Sequence, residues 1–483
     1  MPPRNLLVIA LTSVISLACY SVASKNRYAN LFAEAMSVVD GNSLRVIPRE
    51  DLFVSAMKGM LSDLDEHSMY ISGDFFKLFD EDIKQEFGGV GMYVDIDPKT
   101  EQLVVLAPMP NTPAYEADLR SGDQIVSIAD VETKGKTRQE SIKLLRGPIG
   151  ESVALEIDRG DQRLEKSLSR ATIPVDSVHG DFRSKTGHWN FTLKDHPRIG
   201  YIRLIQFGEK THEEATEAIE QIHGKIDGLI IDLRNNPGGL LDVAVDICDM
   251  LLPADLPIVS TRGRGQVVIS EHFSKSKPKL SSTIPVCVLV NRESASASEI
   301  VAGCLQDHQR AVVVGEQSWG KGTVQNVIPI QRGHSALKLT TASYWRPSGK
   351  NIDRFDPISI ETNVWGVQPT EGYAIEQTDE DVFENSRARN LRDLQGLVSP
   401  QEAELITNMR ANRVREPNGD DAEVPALQIF PSEDVDDDTE LEVPAVDPDE
   451  SNTNTDSTEP HVDRPLQRAI EYFQSLIENQ IAA

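Results

Sequence analysis

Three short apolar runs, separated by helix-like segments, constrain the fold of this chain more than any other feature. The runs are residues 228–233, 286–290 and 311–315. None of them alternates apolar with polar residues, which indicates strands buried on both faces. Helix-like segments occur at residues 211–223, 240–252 and 297–306. This succession of strands and helices predicts an α/β core in which helices pack on a sheet.

Two segments of different character precede the core, which we expect to span residues 171–375. Residues 28–80 carry apolar side chains at helical spacing, such as Leu31, Ala35 and Val38, and predict a helical N-terminal segment. Residues 85–170 begin with a glycine-rich loop and continue with short strands and a helix. That length and pattern predict a compact β-rich domain.

The acidic charge of the chain is concentrated towards its end. The formal net charge is -28, and residues 416–463 contain 17 carboxylates but no Lys or Arg. Such a balance excludes nucleic acid as the main partner, because phosphate binding needs a basic face. We expect residues 376–415 to be a polar, partly helical extension and residues 416–463 a disordered acidic linker. Residues 464–483 regain helical periodicity and predict a helix that docks on the body or on a partner.

The first residues have the order of an export signal. Arg4 precedes an apolar run from Leu6 to Ala18, and small residues follow up to Ala23. This order predicts a signal peptide over residues 1–23 and an exported protein, periplasmic or otherwise extracytoplasmic. The run is short for a membrane span of ~20 residues, but an uncleaved anchor through residues 5–23 stays an open alternative.

The cysteines give no indication of a metal or redox site. Cys19 ends the apolar run, but Ser16 stands where a lipidation signal usually has an aliphatic residue. Cys248, Cys287 and Cys304 each lie in an apolar run without a CxxC pair, as expected of small buried side chains. We therefore predict neither a metal nor a cofactor.

A serine-rich segment follows the second apolar run and opens a helix. Residues 291–300 include Ser294, Ser296 and Ser298 directly after the strand that ends at Val290. The N-terminus of a helix offers unpaired N–H groups that can hold an oxyanion while a serine attacks a carbonyl. Serine at this position is also a routine N-cap, so the segment alone leaves both interpretations open.

A lysine between two glycines follows the third apolar run. Gly320 and Gly322 would let the main chain approach closely, and Trp319 would shield the Lys321 amine from water. Desolvation favours the neutral amine, which can act as a general base towards a serine. Residues 315–321 also fit the GxxxxGK part of a phosphate-binding loop. Gly322 replaces the hydroxyl residue of that motif and a strand follows, which disfavours phosphate binding.

A glycine turn, residues 232–239, follows the first apolar run. Ligand sites of α/β sheets lie at such carboxyl ends of strands, and Gly238 or Gly239 could supply a backbone donor. An ordinary strand-to-helix turn explains the residues equally well. His67, in a turn segment, is more typical of a structural histidine than of a catalytic base.

Together these stretches resemble the C-terminal processing (tail-specific) serine peptidases, a Ser–Lys family, from about Tyr28 to Tyr373. Residues 294–299 and 320–325 carry the most specific part of the resemblance, in residue type and in separation. The resemblance implies an α/β peptidase core of the ClpP- and crotonase-like type. It also implies a PDZ domain at residues 85–170 and cleavage of proteins near their C-terminus.

The same resemblance implies a role for individual residues. Ser296 corresponds to the nucleophile, with Ser294 and Ser298 as competitors, and Lys321 corresponds to the general base. Gln325 would orient the lysine, and Asp307 is similar to a supporting acidic position.

The oxyanion hole and the PDZ ligand loop are likewise implied by the resemblance. The N–H of Ala297 and that of either Gly238 or Gly239 would hold the oxyanion. The loop that would bind a substrate's C-terminal carboxylate consists of Gly88, Gly89, Val90, Gly91 and Met92.

Two other classes of protein remain as alternatives. One is an inactive peptidase fold that serves as a PDZ scaffold, although both the serine and the lysine are present. The other is a crotonase-like acyl-transfer enzyme, which leaves the PDZ-like module unexplained. The expected partners are proteins or peptides with free C-termini, and assembly into a homo-oligomer is left open.

Overall fold

The structure, a computed structural model, describes residues 5, 10–16, 27–184, 186–403, 406 and 462–482. The predicted signal peptide is therefore described only in part, and residues 416–461 of the predicted acidic linker lie outside the described residues. Within the described ranges, no helix combines the length and apolar character that crossing a membrane requires. The chain divides into two compact units. The first comprises Met1–Phe76 and Gln325–Thr340, and the second comprises Lys77–Val324 and Thr341–Ala483.

The helices and strands are numbered along the chain. The helices are α1 (Arg27–Asn42), α2 (Arg49–Ser62), α3 (Gly73–Lys84), α4 (Pro113–Glu116), α5 (Arg138–Leu145), α6 (Thr211–Ile222), α7 (Leu241–Asp249), α8 (Ala297–Asp307), α9 (Pro357–Thr362), α10 (Asp379–Leu394) and α11 (Arg464–Ala482). The strands are β1 (Met69–Ile71), β2 (Glu86–Gly89), β3 (Met92–Ile96), β4 (Leu103–Pro108), β5 (Gln124–Ile128), β6 (Val131–Glu132), β7 (Ser152–Arg159), β8 (Gln162–Ser169), β9 (Ala171–Pro174), β10 (Val178–His179), β11 (Phe182–Arg183), β12 (Trp189–Asn190), β13 (Ile199–Leu204), β14 (Gly228–Asp232), β15 (Pro257–Arg262), β16 (Val268–Phe273), β17 (Val286–Val290), β18 (Ala311–Gly315), β19 (Thr323–Ile330) and β20 (Ser335–Trp345).

The first unit contains a strand that the helical reading of residues 28–80 did not predict. In this unit β1 pairs antiparallel with the first half of β20, with Met69 opposite Lys338. The Asp65 carboxylate accepts hydrogen bonds from Ser68 Oγ at 2.7 Å and from Thr340 Oγ1 at 2.9 Å. A three-residue strand whose partner lies more than 260 residues away leaves too weak a local pattern to recognise.

The β-rich module of the second unit is an antiparallel sheet in the order β3-β4-β5-β7-β8, with β6 beside β5. Strands β2 and β9 pair separately. Helix α5 begins with a capping box, because Thr137 Oγ1 accepts from Glu140 N and Glu140 Oε2 accepts from Thr137 N. Within the described residues β3 is an edge strand of its sheet, and α5 packs beside it.

The α/β core confirms the predicted fold class. Strands β13, β14, β17 and β18 are parallel neighbours in that order, and β10 joins antiparallel to β13. All five residues of β14 and all five of β17 are buried, as the unbroken apolar runs predicted. Asp232 lies opposite Leu289 and Val290 lies opposite Gly315. The three chemical motifs therefore leave neighbouring strands at one edge of the sheet.

A second, antiparallel arrangement in this unit went unpredicted. Strand β15 pairs with β16 on one side and with the last residues of β20 on the other, with Thr261 opposite Tyr344. No residue of β16 is buried. The strand therefore lacks the alternation of apolar core residues with polar surface residues by which a strand is recognised in a sequence.

The C-terminal helix α11 packs on the core sheet. Leu466, Ala469 and Phe473 are buried in one cluster with Ile230 and Leu289 of the sheet, among others. The Phe473 ring occupies the space above Gly228, where a Cβ atom would come within 2.6 Å of it. The apolar stripe predicted for residues 464–483 thus covers one face of the sheet.

Replacing Phe473 with alanine should lower the free energy of unfolding by about 3–5 kcal/mol, because its ring is 1% exposed and fills a closely packed site. Phe473→Leu, which keeps most of the volume, should cost about 1.5 kcal/mol or less. Urea unfolding followed by circular dichroism measures both values. Equal and negligible losses in the two variants would mean that α11 does not pack on the core.

Candidate active site

Ser296 lies at the junction between β17 and α8. Its φ of +54° and ψ of −114° are unusual for a residue with a Cβ atom, and such a conformation persists only where the surroundings hold it. The residue is 7% exposed. Because Ala297 is the first residue of α8, its N–H belongs to the donors that a helix cannot satisfy internally.

The three serines of this segment differ in what their hydroxyl groups contact. Ser294 Oγ donates to the Leu233 carbonyl at 2.8 Å, and Ser298 Oγ donates to the Asn236 carbonyl at 3.0 Å. Both residues are fully buried. These two hydroxyls therefore attach the serine segment to the glycine turn, while Ser296 Oγ contacts a different partner, described below.

The glycine turn lies directly against Ser296. A Cβ atom on Gly238 would come within 2.7 Å of Ser296 Cβ and 2.9 Å of Ala297 N, and Gly238 has a φ of +104°. Only glycine fits both this contact and this conformation. The N–H of Gly238 donates to Asn236 Oδ1 at 2.8 Å and thereby stabilises the turn internally. Gly239 is also tightly packed, since its Cβ would lie 2.3 Å from the Phe207 carbonyl oxygen.

The lysine loop, residues 315–322, is packed as closely as its glycines suggested. A Cβ on Gly320 would meet the Trp365 ring at 2.4 Å, and one on Gly322 would meet Asp353 Cβ at 2.4 Å. The Arg354 guanidinium lies over the Trp319 ring, 4.2 Å from its centroid. Lys321 thus stands in a well-packed segment at the carboxyl end of β18.

One buried carboxylate joins the serine segment to the lysine loop. Glu299 Oε2 accepts from the backbone N–H of Ser296 at 2.9 Å and from that of Lys321 at 2.8 Å. Its Oε1 accepts from Ser318 Oγ at 2.5 Å and from Gly320 N at 2.7 Å. Ser296 and Lys321, 25 residues apart in the sequence, therefore share one acceptor atom.

The Glu299 carboxylate is fully buried, which determines its ionisation. Burial raises its pKa, the hydrogen bonds from Ser318 and from the backbone lower it, and the resulting pKa is about 6. The group is therefore mostly ionised at neutral pH and can accept four hydrogen bonds. Sequence reasoning missed this residue, although a glutamate three positions after a serine at a helix start is a recognisable capping signal.

Tyr344 is a second residue that sequence reasoning missed. Its side chain forms a hydrogen bond with the Ser296 side chain, and burial raises the pKa of Tyr344 to about 12. Its backbone N–H donates to the Gly322 carbonyl at 2.7 Å. Tyr344 thus contacts both segments, and its position in β20 depends on pairing with β15, which no local sequence signal indicates.

Two other predicted site residues have contacts of their own. Asp307 ends the helix that Ser296 precedes, roughly 16 Å along the axis at 1.5 Å per residue. Its carboxylate pairs with the Arg346 guanidinium at 2.6 Å. Gln325 belongs to the first unit, where its Nε2 lies 3.4 Å from Thr340 Oγ1.

Of the predicted PDZ ligand loop, residues 88–92, Gly88 and Gly89 lie in β2 and Met92 begins β3, which leaves Val90 and Gly91 between the two strands. The carbonyl oxygens of Val90 and Gly91 point into the domain. Val90 O accepts from Ala114 N at 2.8 Å, and Gly91 O accepts from Thr112 Oγ1 at 2.8 Å. Gly91 has a φ of +76°, and a Cβ there would collide with Thr112 at 2.4 Å. A loop with its carbonyls turned inward can present N–H groups outward, as carboxylate binding requires.

Among the described residues, no group of three or more His, Cys, Asp or Glu side chains is arranged to hold a metal ion. Cys248, Cys287 and Cys304 are buried free thiols.

Comparisons with known proteins identify two domains of the chain and several relatives. Residues 198–369 match peptidase family S41, and residues 104–159 match a PDZ domain. A carboxy-terminal-processing protease of Bartonella bacilliformis is 38% identical over 341 residues, spanning 68% of this chain and 74% of that protein. A carboxyl-terminal-processing protease of Synechocystis is 34% identical over 311 residues, spanning 63% and 69%. A carboxy-terminal processing protease of Bacillus subtilis is 30% identical over 372 residues, spanning 76% and 72%.

Gly238→Ala should lower peptide hydrolysis by about 100-fold, because the new methyl group displaces the turn from Ser296 and an error of about 1 Å suffices for such a loss. Hydrolysis of a fluorogenic peptide measures the effect. Gly224→Ala is the matched control, since Gly224 also has a positive φ of +72° but a Cβ there meets nothing within 4 Å. Equal activity of the two variants would contradict a role of the Gly238 contact.

Glu299→Gln should lower kcat by about 100-fold, because in either orientation the amide NH2 faces at least one backbone N–H donor, of Gly320 or of Ser296 and Lys321, and displaces it. Glu293→Gln removes an equal charge from an exposed residue of the serine segment and should change kcat less than about threefold. Steady-state kinetics on both variants check the prediction. Unaltered kcat in Glu299→Gln would show that the shared carboxylate is dispensable.

Proposed function

The chain belongs to peptidase family S41, as a carboxy-terminal-processing serine peptidase with a PDZ domain, and we propose that Ser296 is its nucleophile and Lys321 its general base. The observation that carries the proposal is the Glu299 carboxylate, which binds the backbone N–H groups of both residues through one oxygen atom. The hydroxyls of Ser294 and Ser298 are engaged with backbone carbonyls, which favours Ser296 among the three serines.

The proposed reaction is an acyl transfer in two steps. Ser296 Oγ attacks the carbonyl carbon of the scissile peptide bond while neutral Lys321 accepts the hydroxyl proton. The tetrahedral intermediate collapses, the C–N bond breaks, and Lys321 returns the proton to the leaving amine. Water then attacks the acyl-enzyme with Lys321 again as base, releasing the new C-terminus and restoring the serine.

Groups around the serine would support this reaction. We propose that the N–H of Ala297, at the start of α8, and a glycine N–H of the turn stabilise the oxyanion. Because Gly238 N–H already donates to Asn236 Oδ1, Gly239 is the better candidate for the second donor. Gln325 remains the predicted orienting group for Lys321. Asp307, paired with Arg346, would act by stabilising the far end of α8.

The PDZ domain would capture the substrate's tail. Strand β3 is an edge strand in the described part of the domain and begins at Met92, the last residue of the predicted ligand loop. A substrate C-terminus can add to this edge as a further strand, with its carboxylate at the N–H groups of the loop. The substrates would therefore be proteins or peptides with free C-termini.

The location of the protein is proposed from its first residues. We expect residues 1–23 to direct export to an extracytoplasmic compartment, with membrane tethering through residues 5–23 and homo-oligomer formation as open alternatives. Fractionation of cells that produce the full chain tests the location.

Ser296→Ala and Lys321→Met should each lower cleavage of a protein with an accessible C-terminal tail by at least about 1,000-fold, because they remove the nucleophile and the base. Each variant should bind a peptide of the same C-terminal sequence with unchanged affinity, which fluorescence anisotropy measures. Mass spectrometry of the products identifies the cleaved bond. Continued cleavage by Ser296→Ala would refute the assignment of the nucleophile.

A further inference from the structure

The glycine turn is held from outside the peptidase domain by the C-terminal part of the chain. The Arg234 side chain is 10% exposed and lies between two carboxylates. Its Nη1 and Nη2 donate to Asp463 Oδ1 and Oδ2 at 2.7 and 2.9 Å. On the other side, its Nε and Nη2 donate to Asp232 Oδ1 and Oδ2 at 3.0 and 2.7 Å. Arg234 thus forms two bidentate pairs. The pair with Asp232 lies within the glycine turn, and the pair with Asp463 attaches the turn to the C-terminal part of the chain.

Asp463 also determines where the last helix begins. It directly precedes α11, and its Oδ1 accepts from Leu466 N at 3.1 Å, the contact of an N-cap. The buried face of α11 fixes the helix on the core sheet through residues such as Phe473. The carboxylate that meets Arg234 is therefore held by a docked helix rather than by a free chain end.

A second attachment comes from α10. Asn235 Nδ2 donates to Ser386 Oγ at 3.0 Å, while Asn235 Oδ1 accepts from Asn291 Nδ2 at 2.6 Å. The backbone N–H of Asn235 donates to Asn291 Oδ1 at 2.9 Å. Asn291 begins the segment that leads to Ser296. Asn235 therefore connects α10, the glycine turn and the serine segment.

The charges of this arrangement persist at neutral pH. Burial would raise the pKa of Asp232, but the Arg234 charge and its hydrogen bonds, with that of the Tyr201 hydroxyl, lower it to about 2. Burial would lower the pKa of Arg234, but Asp232 and Asp463 raise it well above its usual value. Buried charges in such a network hold their partners firmly, because leaving one of them unpaired is costly.

We propose that Asp463 and Ser386 are positioning residues of the active site, which hold the glycine turn in register with Ser296. The S41 match ends at residue 369, so both residues lie outside it. The turn contains two glycines with positive φ and needs external support to keep a donor within a fraction of an ångström of its target. The catalytic consequence rests on the proposed function of the turn as an oxyanion site.

The decisive variant is Asp463→Asn. Asparagine caps helices as well as aspartate does, so α11 should still begin at the same residue, but the neutral amide replaces one carboxylate partner of Arg234. We expect kcat to fall about 10-fold and the affinity for a PDZ-binding peptide to stay within twofold of the wild type. The inhibition constant of a peptide aldehyde, which forms a tetrahedral adduct with the serine, should rise by a similar factor.

Glu471→Gln is the matched control on the same helix. Glu471 pairs with Arg468 at the surface at 3.4 Å, and both side chains are well exposed, so we expect no change in kcat. Ser386→Ala is a second, independent test in α10, because it removes the acceptor of Asn235 without changing any charge. We expect a several-fold fall in kcat for this variant as well.

Hydrogen–deuterium exchange of residues 234–240 separates this inference from the proposed function, since it reports on the turn whether or not the chain is catalytic. Faster exchange in Asp463→Asn and Ser386→Ala than in Glu471→Gln, together with the loss of kcat, supports the inference. Exchange equal to that of the wild type in both variants overturns it, and so does faster exchange with wild-type kcat and aldehyde inhibition. Failure of the proposed function would appear separately, as cleavage by Ser296→Ala.

Discussion

The Glu299 carboxylate is the interaction on which the rest of the site depends. A fully buried acid in a peptidase core is costly, and this one is compensated by four hydrogen bonds from two segments that leave neighbouring strands. Three of the donors are backbone N–H groups, so the interaction constrains the main chain itself. The relative position of Ser296 and Lys321 is thereby determined at the level of the fold rather than by flexible side chains.

Close backbone contact is the second constraint. Gly238 against Ser296, Gly320 against Trp365 and Gly322 against Asp353 each exclude a Cβ atom. Such packing restricts the backbone conformations of the glycine turn and of the lysine loop. Tyr344 adds one contact to Ser296 and one to Gly322 of the lysine loop. The proposed reaction requires a hydroxyl, an amine and two N–H donors to converge, and this packing would favour it because the cost of ordering the groups is met during folding.

The peptidase core is also supported by elements that come late in the chain. Helix α11 covers one face of the core sheet and carries the residue that pairs with Arg234 at its start. Residues that follow α10, such as Leu397 and Ile406, belong to a cluster with Val104 and Leu106 of the β-rich domain. The described residues after the S41 match therefore contact both the glycine turn and the PDZ sheet.

Local sequence determined the buried strands, the helices between them and the three motifs at the carboxyl ends of β14, β17 and β18, because hydrophobic period and turn chemistry act between near neighbours. The close packing of the main chain at Gly320 and Gly322 was likewise predictable, because the sequence places a glycine on each side of Lys321. Tertiary structure alone decided that Glu299 joins Ser296 to Lys321, that Tyr344 reaches Ser296 from a strand paired with β15, and that Asp463 meets Arg234. These contacts join residues brought together by strand order, register and helix docking, which no local pattern encodes.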